Sequence, residues 1–319
     1  MDPPPGADVV GGAGHSVLPG LVDAHVHLAF GSPAEMLAGG VTAVRDLGAP
    51  PADAARWRAL GDDATPIVAV AGPLHTAPGG YPSTSWGAGG FAEHLDGPDA
   101  ARASVARLAG SVDVVKLALE PAGGPVPDAA TAQALVETAH ERGLFVTAHA
   151  LATAMVRRAL DVGIDELCHV PIERLDHQLV DRIRAAGVTV VSTLSTHRSA
   201  GADLLANARD LVAAGVPLVY GSDFGNAHTR PGADPDELEL LAGAGLGPAG
   251  ALAAATHLAA QVAGLRGRVS GRITVGETAR LLVIWADPRE SPASLRHPVA
   301  VVVGRRWLRS RRGLGGWGV

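Results

Sequence analysis

Aromatic side chains make up only 3% of this 319-residue chain. Any sizeable core must therefore be filled by Ala, Val and Leu, and a hydrophobic content of 47% supplies enough of them. Cysteine is nearly absent. The single thiol, Cys168, excludes an internal disulfide and fits a reducing compartment. No apolar run reaches the roughly 18 residues of a membrane span, and the N-terminus lacks the basic–apolar–cleavage pattern of a secretion signal. These absences predict a soluble, cytoplasmic protein with no membrane partner. Excess positive charge is missing too, and a net charge of −6 argues against a nucleic-acid binder. The one basic run, Arg305 and Arg306 with Arg309, Arg311 and Arg312, reads as a solvated tail.

What is present is an alternation of short apolar strands and amphipathic helices. Strand patterns fall at 21–28, 41–47, 67–71, 112–119, 144–150, 164–170, 188–194 and 217–224. Helical patterns separate most of them; Asp128 reads as an N-cap and Gly143 as a helix stop. Eight such units predict parallel strands with right-handed crossovers, closed into a (β/α)₈ barrel. Residues 1–17 are rich in Pro and Gly and show no strand. A long loop at 72–97 carries His75, Tyr81, Trp86 and His94. Its aromatic residues favour a substrate-covering loop over a disordered one.

The stretch Leu18-Pro-Gly-Leu-Val-Asp-Ala-His-Val-His-Leu28 organises the rest. Alternate residues of a strand point the same way, so His25 and His27 project side by side from one strand end. Imidazole is the commonest metal ligand near neutral pH. Further polar residues lie at or near the C-terminal ends of other apolar strands: Lys116 on the fourth, His149 on the fifth, His169 on the sixth and Asp223 on the eighth. In a barrel that is the face where active sites lie. Burying such groups singly is costly, whereas convergence on a metal makes the burial favourable.

These motifs resemble the metal-dependent amidohydrolase superfamily. The resemblance runs from about Pro5 to Trp307 and rests on Pro19-Gly-Leu-Val-Asp-Ala-His25-Val-His27, Val114-Val-Lys116, Thr147-Ala-His149-Ala, Glu166-Leu-Cys-His169 and Gly221-Ser-Asp223. Gly40-Val-Thr-Ala-Val-Arg45-Asp46-Leu-Gly and Pro78-Gly-Gly-Tyr81-Pro resemble the imidazolonepropionase-like and Xaa-Pro-dipeptidase-like branch. The resemblance implies that His25, His27 and Asp223 bind the more buried metal and that His149 and His169 bind a second. Lys116, carboxylated by CO₂, would bridge the two. It also implies a divalent ion, zinc first, and Asp223 as the catalytic proton shuttle. The loop at 72–97, with His75 and Tyr81, and His197 and His228 would shape the substrate pocket.

Members of the family normally begin with several strands of a small β-sandwich that the C-terminal segment completes. Here the expectation is a reduced sandwich from residues 1–17 and 266–319 around a barrel at 18–265, with exposed strand edges. The expected activity is hydrolysis of an amide C–N bond in a small molecule by a metal-activated water. Lactone opening, deamination or decarboxylation on the same centre, or a catalytically inactive binding protein, are the alternatives. A homo-oligomer is compatible with the sequence.

Overall fold

A computed structural model describes residues 12–309 apart from Ala263 and Arg266. Strand β1 (His15–Pro19) precedes the barrel strands β2 (Leu21–Val26), β3 (Val41–Asp46) and β4 (Ile67–Val70). Two short strands, β5 (Leu74–Thr76) and β6 (Ala92–His94), lie inside the loop that the sequence suggested was irregular. The barrel continues through β7 (Val114–Ala118), β8 (Phe145–His149), β9 (Glu166–Leu167), β10 (Thr189–Val191) and β11 (Leu218–Val219).

All barrel ladders are parallel, in the orders β2–β3–β4 and β11–β10–β9–β8–β7–β5. Single hydrogen bonds join the two arcs. Ala24 N donates to Tyr220 O (3.1 Å) and Asp223 N to His25 O (2.9 Å), while Asp113 N donates to Val70 O (2.8 Å). The eight predicted strands are therefore the eight staves, although β9 and β11 keep only two ladder residues each.

The helices start where local chemistry dictates. Asp128 caps the helix Ala129–Glu141 by accepting from Thr131 N at 2.7 Å, and Gly143 takes φ +70° just past its end. With so few aromatics, small residues close the core. Val22, Ala24, Ala43, Ala69, Val191 and Val219 meet Ala259, Ala260 and Leu265 without a single ring.

The small sheet corrects the expectation for residues 1–17, because His15–Pro19 is a strand. It pairs antiparallel with β12 (Arg280–Trp285), which continues to β13 (Ala300–Val303) and β14 (Arg306–Arg309). Among the described residues this is one four-stranded sheet, not two facing sheets. Arg311 and Arg312 of the basic run lie outside the described residues, whereas Arg306 belongs to β14 and approaches Asp63 at 3.4 Å. Among the described residues no helix is long and apolar enough to cross a membrane.

Candidate active site

The C-terminal ends of the staves open into a cavity of about 230 Å³. His25, His27, Lys116, His149, His169 and Asp223, all predicted from the sequence, line it together with Tyr81 and His197. His75 does not. It is buried behind the wall, with Nδ1 against Lys116 O (3.1 Å) and Nε2 against the Ser104 hydroxyl (3.0 Å). His228 does not either; it lies exposed beyond the eighth strand. The expectation that these two shape the pocket is corrected: one is a satisfied core histidine and the other a surface residue.

Backbone placement is strict. Asp223 sits at φ +52°, a left-handed conformation that a non-glycine residue rarely adopts, and Thr193 at φ +47°. Gly225 has φ +120°, and a Cβ there would meet His27 Cβ at 2.8 Å. Asp23 ties the first stave to the eighth. Its carboxylate accepts from His25 N and Ser222 N, both at 3.1 Å, and from the Ser222 hydroxyl at 2.5 Å. Burial pushes the Asp23 carboxyl up to about 7 despite these bonds. Glu237, fully buried under the seventh stave, accepts from Leu194 N (3.0 Å) and Ser195 N (2.6 Å) and so holds the loop bearing His197.

The lone pairs of the site converge. His25 Nδ1–H donates to Cys168 O at 2.9 Å, which leaves Nε2 as the acceptor nitrogen of a neutral ring. Burial, then the Lys116 ammonium, holds His25 well below its ordinary value, so the ring is neutral. That Nε2 faces Asp223 Oδ1 at 3.3 Å, and His27 Nε2 reaches the same oxygen at 3.4 Å. Burial would raise the Asp223 carboxyl, but the imidazoles around it, with the hydrogen bond from His27 Nε2–H, outweigh burial and hold it below its ordinary value. His25 Nε2 and His27 Nδ1 are buried without a hydrogen-bond partner. The His25 Nε2 lone pair and the Asp223 carboxylate, two buried acceptors, repel unless a cation lies between them.

The second group is hydrogen-bonded within itself. His149 Nε2–H donates to Glu120 Oε2 at 3.1 Å, leaving Nδ1 to accept from His169 Nε2–H, 3.0 Å away. His169 Nδ1 contacts the Thr193 hydroxyl at 2.9 Å. Burial lowers both rings, His169 well below the ordinary value. Among the described residues, three sets of donors lie close enough to share an ion: His25, His27 and Asp223; His25, Cys168 and His169; and His169, His197 and Asp223. The donor chemistry and the orphaned nitrogens fit a divalent cation.

Sequence reading missed Cys168 as part of the site. Lys116 Nζ donates to its Sγ at 2.6 Å, and burial pushes the thiol up to about 11, so it stays neutral. It also missed Glu120, which orients His149, and Phe30 on the wall, whereas Trp86 of the predicted covering loop does line the cavity. Glu120 follows the fourth strand in the chain, at the mouth of the barrel, and that position is the signal that could have found it.

The sequence model of the Amidohydrolase family matches residues 16–305. The chain belongs to the amidohydrolase family. It is 30% identical over 345 residues to an uncharacterized protein of Mycobacterium tuberculosis (strain H37Rv), covering 96% of this chain and 88% of that one. Among solved structures it is similar to a Xaa-Pro dipeptidase crystallised with methionine in the active site. There the TM-score is 0.82 at 20% identity, covering 97% of this chain and 91% of that one. A Bifidobacterium longum protein provisionally named a prolidase gives a TM-score of 0.77 at 28% identity, covering 93% and 81%. The amidohydrolase family implies a divalent metal, and in fold the chain is similar to these prolidase-named structures.

Proposed function

We propose that this amidohydrolase cleaves an amide C–N bond of a small molecule, with zinc as the resident ion. The convergence of the His25 Nε2 lone pair and the Asp223 carboxylate, with no donor between them, carries this reading. His25, His27 and Asp223 would hold the more buried ion, and His149 and His169 a second. Lys116 would join them as a carbamate, because an ammonium has donors and no lone pair. Zinc suits a mixed imidazole and carboxylate set that leaves a position open. When bound, the ion supplies Lewis acidity and lowers the pKa of water toward about 7.

The remaining chemistry belongs to side chains. Asp223 would accept a proton from the attacking water and return it to the departing nitrogen. Tyr81 is set to donate. Its oxygen already accepts from Trp86 Nε1–H at 3.0 Å, so its own proton is free for a substrate carbonyl. Burial pushes the Tyr81 phenol up to about 12, which keeps that proton in place. The test is turnover of a panel of amides, lactones and amidines by zinc-loaded protein before and after chelation. Amide hydrolysis that is lost with the metal and restored by zinc is expected. Chelation-insensitive turnover, or turnover confined to lactones or amidines, would overturn the reading.

A further inference from the structure

We infer that a second cavity, at the end of the barrel away from the active site, binds the phosphate group of a small phosphate ester. Its volume is about 420 Å³, within the roughly 300–1,000 Å³ of small-molecule sites. Gly20 just before β2, Thr42 near the start of β3 and Ile67 at the start of β4 form one wall. The segment 267–272, with Glu277, Thr278 and Arg280 at the head of β12, forms the other. The active-site residues stand at the opposite ends of the same parallel staves, and the two cavities share no lining residue.

Among the described residues, three guanidiniums line this cavity, from Arg268, Arg272 and Arg280, with one carboxylate, Glu277. None of the three has a carboxylate partner among those residues, although other guanidiniums of the chain do. Arg58 meets Asp113 at 2.9 Å, Arg182 meets Asp161 at 2.7 Å and Arg306 meets Asp63 at 3.4 Å. The nearby carboxylates are engaged on their own segments. Glu277 Oε2 accepts from the Ser270 hydroxyl at 2.5 Å, and Asp62 Oδ1 from Ala64 N and the Thr65 hydroxyl, both at 2.8 Å. Neutral carbonyls hold two of the guanidiniums in place. Arg280 donates to Thr42 O (3.1 Å) and Gly61 O (2.8 Å), and Arg268 to Val68 O (2.9 Å). Burial lowers Arg280 from its ordinary value, and the Asp62 charge only partly offsets this. A half-buried cation thus stands without a counter-ion in contact, in a lining with an excess of two positive charges. A phosphate monoester carries close to two negative charges at neutral pH and presents three acceptor oxygens. Guanidiniums, with five donors each, can fork onto it from more than one side. A carboxylate offers half that charge and two oxygens. Pro19, Ile67 and Val269 supply apolar surface for the carbon body of the ester.

The test is calorimetry of zinc-loaded protein with glycerol 3-phosphate, inorganic phosphate and acetate at equal ionic strength, since salt screens such contacts. Phosphate could also sit on the active-site ion, so the titrations are repeated in His25→Ala/His27→Ala. The ester is expected to bind that variant as well as the wild type, at least as tightly as inorganic phosphate and more tightly than acetate. Arg272 is exposed and its side chain bonds to nothing among the described residues, so Arg272→Gln leaves the fold intact. That substitution is expected to lower the ester's affinity roughly tenfold in both backgrounds, the scale of one hydrogen bond to a charged group, with wild-type zinc content unchanged. No binding of the ester at millimolar concentration would overturn the inference. So would binding that is lost with the two histidines and indifferent to Arg272→Gln, because the phosphate would then lie on the metal. Tighter binding of inorganic phosphate or acetate than of the ester would overturn the ligand class.

Discussion

Two buried polar clusters lie along the axis of this barrel, and they are built on opposite principles. Below the cavity, Arg45 donates to Ala24 O (2.8 Å), Val262 O (3.2 Å) and the Glu166 carboxylate, which also accepts from the Thr147 hydroxyl at 2.6 Å. One cation meets one anion, and each of these donors finds an acceptor. At the mouth, Asp223 faces the lone pair of His25 Nε2, and His25 Nε2 and His27 Nδ1 have no hydrogen-bond partner. The side chains of both clusters are buried. The balanced one is scaffold. The unbalanced one needs charge from outside the chain, and that difference separates a structural network from a functional one.

The contrast breaks most sharply at Asp223. Asp223→Asn keeps the shape and removes one negative charge and the proton acceptor. Turnover should fall roughly 10²- to 10⁴-fold, mainly in kcat, with the fold intact by circular dichroism. Lys116→Ala should be similarly inactive but partly restored by short carboxylic acids added to the assay. Restoration by amines instead would make the lysine a base rather than a carbamate.

At the lower cluster the effect moves from chemistry to stability. Arg45→Met leaves Glu166 buried and unpaired and should cost about 3–5 kcal/mol in chemical denaturation. The metal content of the folded fraction should not change. The remaining effect is one of pH. Burial raises the Glu237 carboxyl from 4.5 to about 8 in the folded state, so folding favours its protonated form. A raised folded value gives stability that is complete below 4.5 and lost as pH rises through about 8. Urea midpoints of the wild type should therefore fall between these limits more than those of Glu237→Gln. Parallel midpoints would show that Glu237 does not titrate across this range.

The staves and the residues at the mouth were legible in the sequence because both follow from period and position. Apolar runs of strand length gave the eight staves, and polar residues at their C-terminal ends gave His25, His27, Lys116, His149, His169 and Asp223 as neighbours. What sequence could not supply was depth. His75 and His228 both sit near strand ends, yet one is sealed against Ser104 and the other lies in solvent. Strand β1 was hidden because its ladder partner among the described residues, β12, is more than two hundred residues away. No local pattern records such a pairing, and the Pro and Gly around it read as a loop. Cys168 was invisible for a related reason: its role comes through a backbone oxygen and a contact across the barrel to Lys116.

The claim that the mouth is built around a cation, and the lower cluster is not, is tested most directly by metal analysis. Wild-type protein, His25→Ala/His27→Ala and Arg45→Met would be loaded with zinc, desalted and measured by plasma mass spectrometry per folded chain. The account predicts at least one tightly held zinc in the wild type and in Arg45→Met, and a loss of at least one equivalent in the double variant. Wild-type protein that retains no divalent metal, or a double variant that retains as much as the wild type, would contradict it.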